Sequence, residues 1–406
     1  MFTNVTSIMF TFVILIVIML DAPYFLSQYN SLKATDLKNR YITNAHIEPL
    51  LASLTNRFSQ SILGTSVGGL PIHALQIGTG AKRILIWSQM HGNESTTTKA
   101  IFDLFNYFEL ADSKALLEAC TLLIIPILNP DGAEAYTRFN KNQVDLNRDA
   151  QALTQSESKI LRTSFESFKP HFCFNMHGQR TIFSAGNTSN SAVLSFLSPS
   201  ENIERSLSIT RQKSMEIIQH MNTTLQPYLK DQIGRYDDAF NDNCVGDYFQ
   251  SIGTPTVLFE AGHFPKDYTR EVTRKYMALA LISAIDFVAN NPISGVAYKP
   301  YFDIPENDKK FYDVIVRNAL LNPSNPGVFN DIGIQHTEVL VSGMVTFKPK
   351  VVFVGDLTQK HGHMEIDANF KAVAHPNFET LSIGNEIDFI MKKFTKIPLF
   401  TNNNLT

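Results

Sequence analysis

From about Leu70 onward, short apolar runs alternate with longer stretches in which apolar positions recur every three or four residues. "RILIWSQM" (Arg83 to Met90) is brief, Ile-rich and bounded by polar residues, which predicts a buried strand. In "TTTKAIFDLFNYFELA", Ile101, Leu104, Phe105 and Phe108 keep the spacing of one helix face. "TLLIIPILNP" (Thr121 to Pro130) predicts a second buried strand, stopped by an Asn-Pro-Asp-Gly turn signal. "TQSESKILRTSFESF" predicts a helix opened by Thr154 and Glu157 at capping-box spacing, with Leu161, Phe165 and Phe168 on one face. "HFCFNMHG" (His171 to Gly178) and "TPTVLFEAG" (Thr254 to Gly262) are further strand candidates. "TREVTRKYMALALISAIDFVAN" then sets Val272, Tyr276, Leu279 and Ile282 at helical spacing. Strands alternating with helices in this way are the signature of an α/β domain.

The breaker cluster "NNPISG" ends that pattern, and from Ile293 the runs "EVLVSGMVTF", "KVVFVGDL" and "HMEIDANF" are short and β-like. Residues 28–292 thus form one expected domain and residues 293–406 a β-rich appended one, with 1–27 as a hydrophobic leader. The leader contains "IMFTFVILIVIML" (Ile8 to Leu20), about the length of a signal-peptide core and short for a spanning helix. No Lys or Arg precedes it and no small-x-small cleavage site follows. An export signal or anchor, an upstream start on a cytoplasmic protein, and a buried N-terminal element all stay open, and with them the compartment. Any membrane contact is expected through residues 8–20.

Composition narrows the function classes. A chain of 406 residues with 44% hydrophobic and 18% charged residues is that of a globular protein with a large core. Its formal charge of −3, with no basic run of five or more, offers no field for nucleic acid. Cys120, Cys173 and Cys244 form no CxxC pair, so a thiolate zinc site is not expected, and two of them fall in or beside apolar runs as buried thiols would.

Four apolar runs end in chemically capable residues: His91 with Glu94, Asn129 with Asp131, His177, and Glu260. In open α/β sheets, sites form outside the carboxyl ends of the strands. His91 and Glu94, two residues apart, can reach one ion from a single turn, although HxxE by itself is also what a surface turn contains. A hydrolytic zinc site needs three protein ligands, and His177, before the turn-permitting Gly178, is the candidate third. Glu260 is the candidate general base, since the metal polarises groups but does not carry protons.

At these residues the chain resembles the zinc carboxypeptidases of the carboxypeptidase A type. "HGNE" is similar to the family's paired-ligand motif and is followed, in family order, by "NPDG", "TRFNKNQVDLNRD", "MHGQ" and "LFEAG". The resemblance covers about Leu70 to Asn290 and implies an α/β fold with a central, mixed, mostly parallel twisted sheet flanked by helices. It implies one Zn2+ per chain on His91, Glu94 and His177, and a metallocarboxypeptidase activity with Glu260 as catalytic base. Arg138 matches the arginine that steadies the oxyanion, and Asn147 with Arg148 the pair that grips a substrate's terminal carboxylate. Tyr236 aligns loosely with the family's tyrosine. Where many animal members carry an arginine, this chain has Asn93.

The expected substrate is a peptide, or an N-acyl amino acid, with a free carboxylate. Deacylases resembling aspartoacylase and succinylglutamate desuccinylase use an HGNE-like motif too, so that motif does not separate the two. Bacterial wall peptides are a further option within the peptidase reading. From another class, a non-catalytic zinc-containing binding protein is disfavoured by the presence of both Glu260 and Arg138. His263 is expected to pack behind the site, and His361 with His363 to lie in an exposed loop. The appended part is expected to pack against the catalytic part or to restrict access to it.

Overall fold

The computed structural model describes residues 20–400 except 378, 393 and 394. The Ile8 to Leu20 run therefore lies outside the described residues apart from Leu20, whose N–H donates to Asp286 Oδ2 at 3.1 Å. A helix follows at Ala22–Leu32, capped by Asp21, and it buries Phe25, Tyr29 and Leu32. It takes in residues 22–27, which the sequence pattern assigned to the leader.

Nine strands belong to the α/β part: β1 (Ser59–Thr65), β2 (Pro71–Ile77), β3 (Lys82–Ser88), β4 (Cys120–Ile125), β5 (Phe172–Gly178), β6 (Phe183–Ala185), β7 (Leu194–Leu197), β8 (Ile233–Arg235) and β9 (Thr256–Ala261). All but β6 join one sheet in the order β1-β2-β4-β3-β5-β9-β7-β8. Its centre, β4-β3-β5-β9, is parallel throughout; β2 runs antiparallel to β4 and β7 antiparallel to β9. The fold is thus α/β with a mixed, mostly parallel sheet.

The period-2 geometry of a strand divides the core in two. Ile84, Ile86, Leu122, Ile124, Phe172 and Phe174 face one side, packed with the helices Thr96–Phe108, Ile209–Leu225 and Glu271–Asn290. Leu85, Trp87, Leu123, Ile125 and Cys173 face the other, against Leu161 and Phe249. Both faces are covered, so the strands read as unbroken apolar runs. The thiols of Cys120 and Cys173 are buried, Cys244 is half-buried, and all three are free.

Helix ends are set by side chains outside the helices, some near in sequence and some far. Asp267 accepts the N–H groups of Glu271, Val272 and Thr273, opening the helix Glu271–Asn290. Lys82 Nζ donates to the carbonyls of Val288, Ala289 and Asn291 at its far end. The capping box expected at Thr154 does not form. The helix starts at Ser156, and Asp149 takes the N–H groups of Thr154 and Gln155. Glu157 reaches Val67 N and Asn140 instead.

Among the described residues eight further strands follow: β10 (Asn307–Lys309), β11 (Phe311–Ala319), β12 (Asn330–Val341), β13 (Met344–Gly355), β14 (His361–Asp367), β15 (Val373–Ala374), β16 (Phe389–Lys392) and β17 (Thr395–Pro398). β10 pairs with β6, tying the two parts together. The sheet β13-β12-β11-β14 packs against β15-β16-β17 around Val314, Val316, Ile332, Ile334, Val351, Leu381 and Ile390. His361 and His363 lie on β14, paired with β11, not in an exposed loop. At the junction Tyr136 and Tyr268 pack with Val345 and Phe347.

Candidate metal centre

The ends of the parallel strands carry the chemistry. His91 and Glu94 lie between the end of β3 and the helix Thr96–Phe108, and His177 is the penultimate residue of β5. Glu260 on β9 is the register partner of His177. His91 Nδ1 lies 2.9 Å from Glu94 Oε1, and His177 Nδ1 lies 3.0 Å from Glu94 Oε2. The two imidazole Nδ1 atoms are 3.1 Å apart.

A tetrahedral zinc site with bonds of about 2.0–2.1 Å would separate its ligand atoms by about 3.3 Å, close to what is seen. These three residues also form the group of His, Cys, Asp or Glu side chains whose ligand atoms come within 4.8 Å of one another among the described residues. Two imidazoles and a carboxylate fit a zinc ion.

The surroundings hold that arrangement. Gly178 N donates to Glu94 Oε2 at 3.0 Å. Asp145 Oδ1 sits 3.1 Å from His91 Nε2, fixing the ring from behind, while its Oδ2 accepts from Arg138 Nε at 2.9 Å. Arg138 Nη1 in turn lies 3.3 Å from His91 Nδ1. Burial would raise the Glu94 carboxyl, but the charge of His91 and hydrogen bonds from both histidines hold it well below the usual range. Burial keeps His177 low, hence neutral, as a ligand must be. Glu260 is pushed well above the usual range by burial and then by the charge of Glu94, with Arg138 and Arg270 opposing; its Oε2 is buried without a partner.

The remaining candidates lie around this cluster. Asn147 donates its backbone N–H to Asp145 Oδ1, and its side-chain Oδ1 accepts from Val245 N at 3.0 Å. Arg148 is exposed, donating to the Asn147 carbonyl at 2.7 Å and to Cys244 Sγ at 2.9 Å, and pairs with neither Asp145 nor Asp149. Tyr236 packs on Phe183 and is raised by burial and then by the charges of Glu260 and Glu94, which puts it beside the site. Asp145 is a residue the sequence reading passed over; its place in "DLNRD" was the available signal. His263 is buried against Tyr268 and His363.

The profile of the zinc carboxypeptidase family matches residues 43–257, more than half of the chain. The chain belongs to the zinc carboxypeptidase family. The matched stretch stops three residues short of Glu260, so the carboxylate on β9 is placed by the fold. The chain is similar to a probable carboxypeptidase 2 of Trichophyton verrucosum, 30% identical over 112 residues, 27% of this chain and 21% of that protein. It is also similar to carboxypeptidase SOL1 of Arabidopsis thaliana, 27% identical over 168 residues, 35% of this chain and 34% of that one. The aligned stretch thus spans between a fifth and about a third of the length of these relatives. Among solved structures, a metallo-carboxypeptidase from Burkholderia cenocepacia is 19% identical, with a TM-score of 0.47 over 60% of this chain and 68% of that chain.

Proposed function

We propose that the protein is a zinc-dependent carboxypeptidase that releases the C-terminal residue of a peptide with a free carboxylate. The observation that carries this reading is the convergence of His91, Glu94 and His177 to 2.9–3.1 Å with Glu260 beside His177 in the sheet. His91, Glu94 and His177 would hold a zinc ion, which when bound supplies Lewis-acid polarisation of a carbonyl and a water molecule.

The chain's own groups do the rest. Glu260 takes the proton of the attacking water and returns it to the leaving amine. Its high proton affinity suits the second half of that cycle, and the charges of Arg138 and Arg270 oppose it, favouring the ionised form the first half needs. Arg138, anchored by Asp145, donates to the oxyanion as it develops. Arg148, with no carboxylate partner among the described residues, and Asn147 hold the substrate's terminal carboxylate.

Glu260→Gln is expected to retain zinc, measured by metal analysis, and to lose turnover by a factor of at least about 10². Full activity in that variant would remove the assigned base. Arg148→Ala is expected to raise KM for substrates with a free α-carboxylate while leaving amidated ones unchanged. Equal losses on both would end the terminal-grip assignment.

A further inference from the structure

A cavity of about 420 Å³ opens beside the ligand cluster, within the range of pockets that take one small molecule. Glu94 and Arg138 line it, whereas Asn147, Arg148 and Tyr236 do not. A substrate whose carbonyl lies at Arg138 and whose terminal carboxylate meets Arg148 therefore extends its other half, the acyl side, into this space. The far wall is built by the β-rich part: Gln335, His336, Thr337 and Glu338 on β12 and Phe347 on β13.

The charges of the lining do not cancel locally. Arg40 pairs with Glu338 at 3.0 Å, and Arg138 with Asp145 at 2.9 Å. Glu94 is committed to the two histidines, and Asp313 accepts from the Tyr268 hydroxyl and the His336 N–H. Two guanidiniums are left without a carboxylate among the described residues. Arg180 is exposed at the rim. Arg270 is 2% exposed; it donates to the carbonyls of Ala261 and Gln179, and its Nε is buried with no partner. Asn93 Oδ1, also on the lining, is likewise buried and unpartnered. Glu338, Asp267 and Glu260 act on Arg270 through their charges, but none hydrogen-bonds its guanidinium, which is met by neutral carbonyls and keeps a buried, unpartnered Nε that an incoming anion would satisfy.

We propose that this cavity is an acyl-side subsite that selects substrates carrying a carboxylate on the residue or acyl group preceding the scissile bond, with Arg270 and Arg180 as the recognising cations. The proposal rests on the hydrolase reading above for the orientation of the substrate. The β-rich part supplies the wall that limits the acyl portion to a short group, and Arg138 separates this subsite from the terminal grip at Arg148.

The test compares N-acetyl-Glu-Xaa, N-acetyl-Gln-Xaa and N-acetyl-Lys-Xaa, with the C-terminal residue varied, on the zinc-loaded protein. The Glu series is expected to exceed the Gln series in kcat/KM by at least about tenfold, the scale of one hydrogen bond to a charged group. Arg180→Ala should reduce that ratio severalfold, and Arg270→Met should abolish it; since Arg270 also holds two carbonyls, the exposed Arg180 keeps the test independent of folding. Calorimetry on Glu260→Gln measures the same preference as binding, without turnover. Equal kcat/KM for Glu and Gln substrates would overturn the subsite while leaving the hydrolase reading standing. Tighter binding of the Glu compound, weakened severalfold in Arg180→Ala, with no hydrolysis of any substrate, would support the subsite and remove the carboxypeptidase reading. Neither hydrolysis nor discrimination would remove both.

Discussion

Two groups of buried or half-buried histidines lie a short way apart in this chain, and they differ in what faces them. His91 and His177 turn their Nδ1 atoms toward each other and toward one carboxylate, and a second carboxylate, Asp145, supports His91 from behind. His263, His336 and His363 are gathered where the β-rich part meets the α/β part, with the rings of His263 and His363 4.4 Å apart. Among the described residues no carboxylate converges on their rings: Asp313 comes no nearer the His336 imidazole than 3.9 Å and is already occupied by the Tyr268 hydroxyl and the His336 backbone N–H. Both ring nitrogens of His263 and of His336 are buried without partners, and His363 Nε2 donates to the Thr181 carbonyl. Burial alone makes a neutral, packed imidazole; it is a convergent anion that makes a ligand.

The largest expected effect breaks the first group. His177→Ala removes one of three ligands, so zinc content after dialysis should fall from about one per chain to almost none. Asp145→Ala leaves the three ligands but frees both His91 and Arg138, and should weaken zinc binding by about 10- to 100-fold in a competition titration. His336→Ala, from the second group, should leave zinc affinity as in the parent chain. If His336→Ala weakened zinc as much as Asp145→Ala, the contrast between the two groups would be lost.

The same contrast explains what could be read from the sequence. The residues of the metal cluster each end an apolar run, and a strand's end is a local feature, so His91, Glu94, His177 and Glu260 stand out without any knowledge of the fold. Asp145 was quoted within its motif, yet its two-sided role depends on a ring 54 positions away. The cavity wall is less legible still. Gln335 to Glu338 look like any half-buried strand, and only the pairing of β12 with β11 and the junction around Tyr268 and Phe347 turn them toward Arg270. Arg270 itself sits in a polar stretch before a helix, where a solvated guanidinium is the ordinary expectation. The failed capping box at Thr154 has a related cause: Asp149, five residues before it, takes the Thr154 N–H, and Glu157 reaches the N–H of Val67, 90 positions away.

The smallest effect concerns acid. Burial lowers His263 well below its ordinary value, with the nearby His363 adding to it; burial also lowers His336 and His363, against the opposing charge of Asp313. In the unfolded chain these side chains take up a proton at about pH 6.5, whereas in the fold they resist it. The unfolded state therefore binds more protons below that pH, so this contribution to stability is intact above about pH 7 and is lost as the pH falls through 6.5 and beyond. For His263 alone the slope is roughly 1.4 kcal/mol per pH unit until the folded form also protonates. Urea midpoints between pH 7.5 and 5 measure it. His263→Phe keeps a ring against Tyr268 and His363 and has nothing to protonate, so its midpoint should fall less steeply with acid than that of the parent chain. Parallel slopes for the two proteins would show that His263 takes no part in acid sensitivity, and would place it instead at His177, which burial also lowers; His91, held above its ordinary value, acts in the opposite sense.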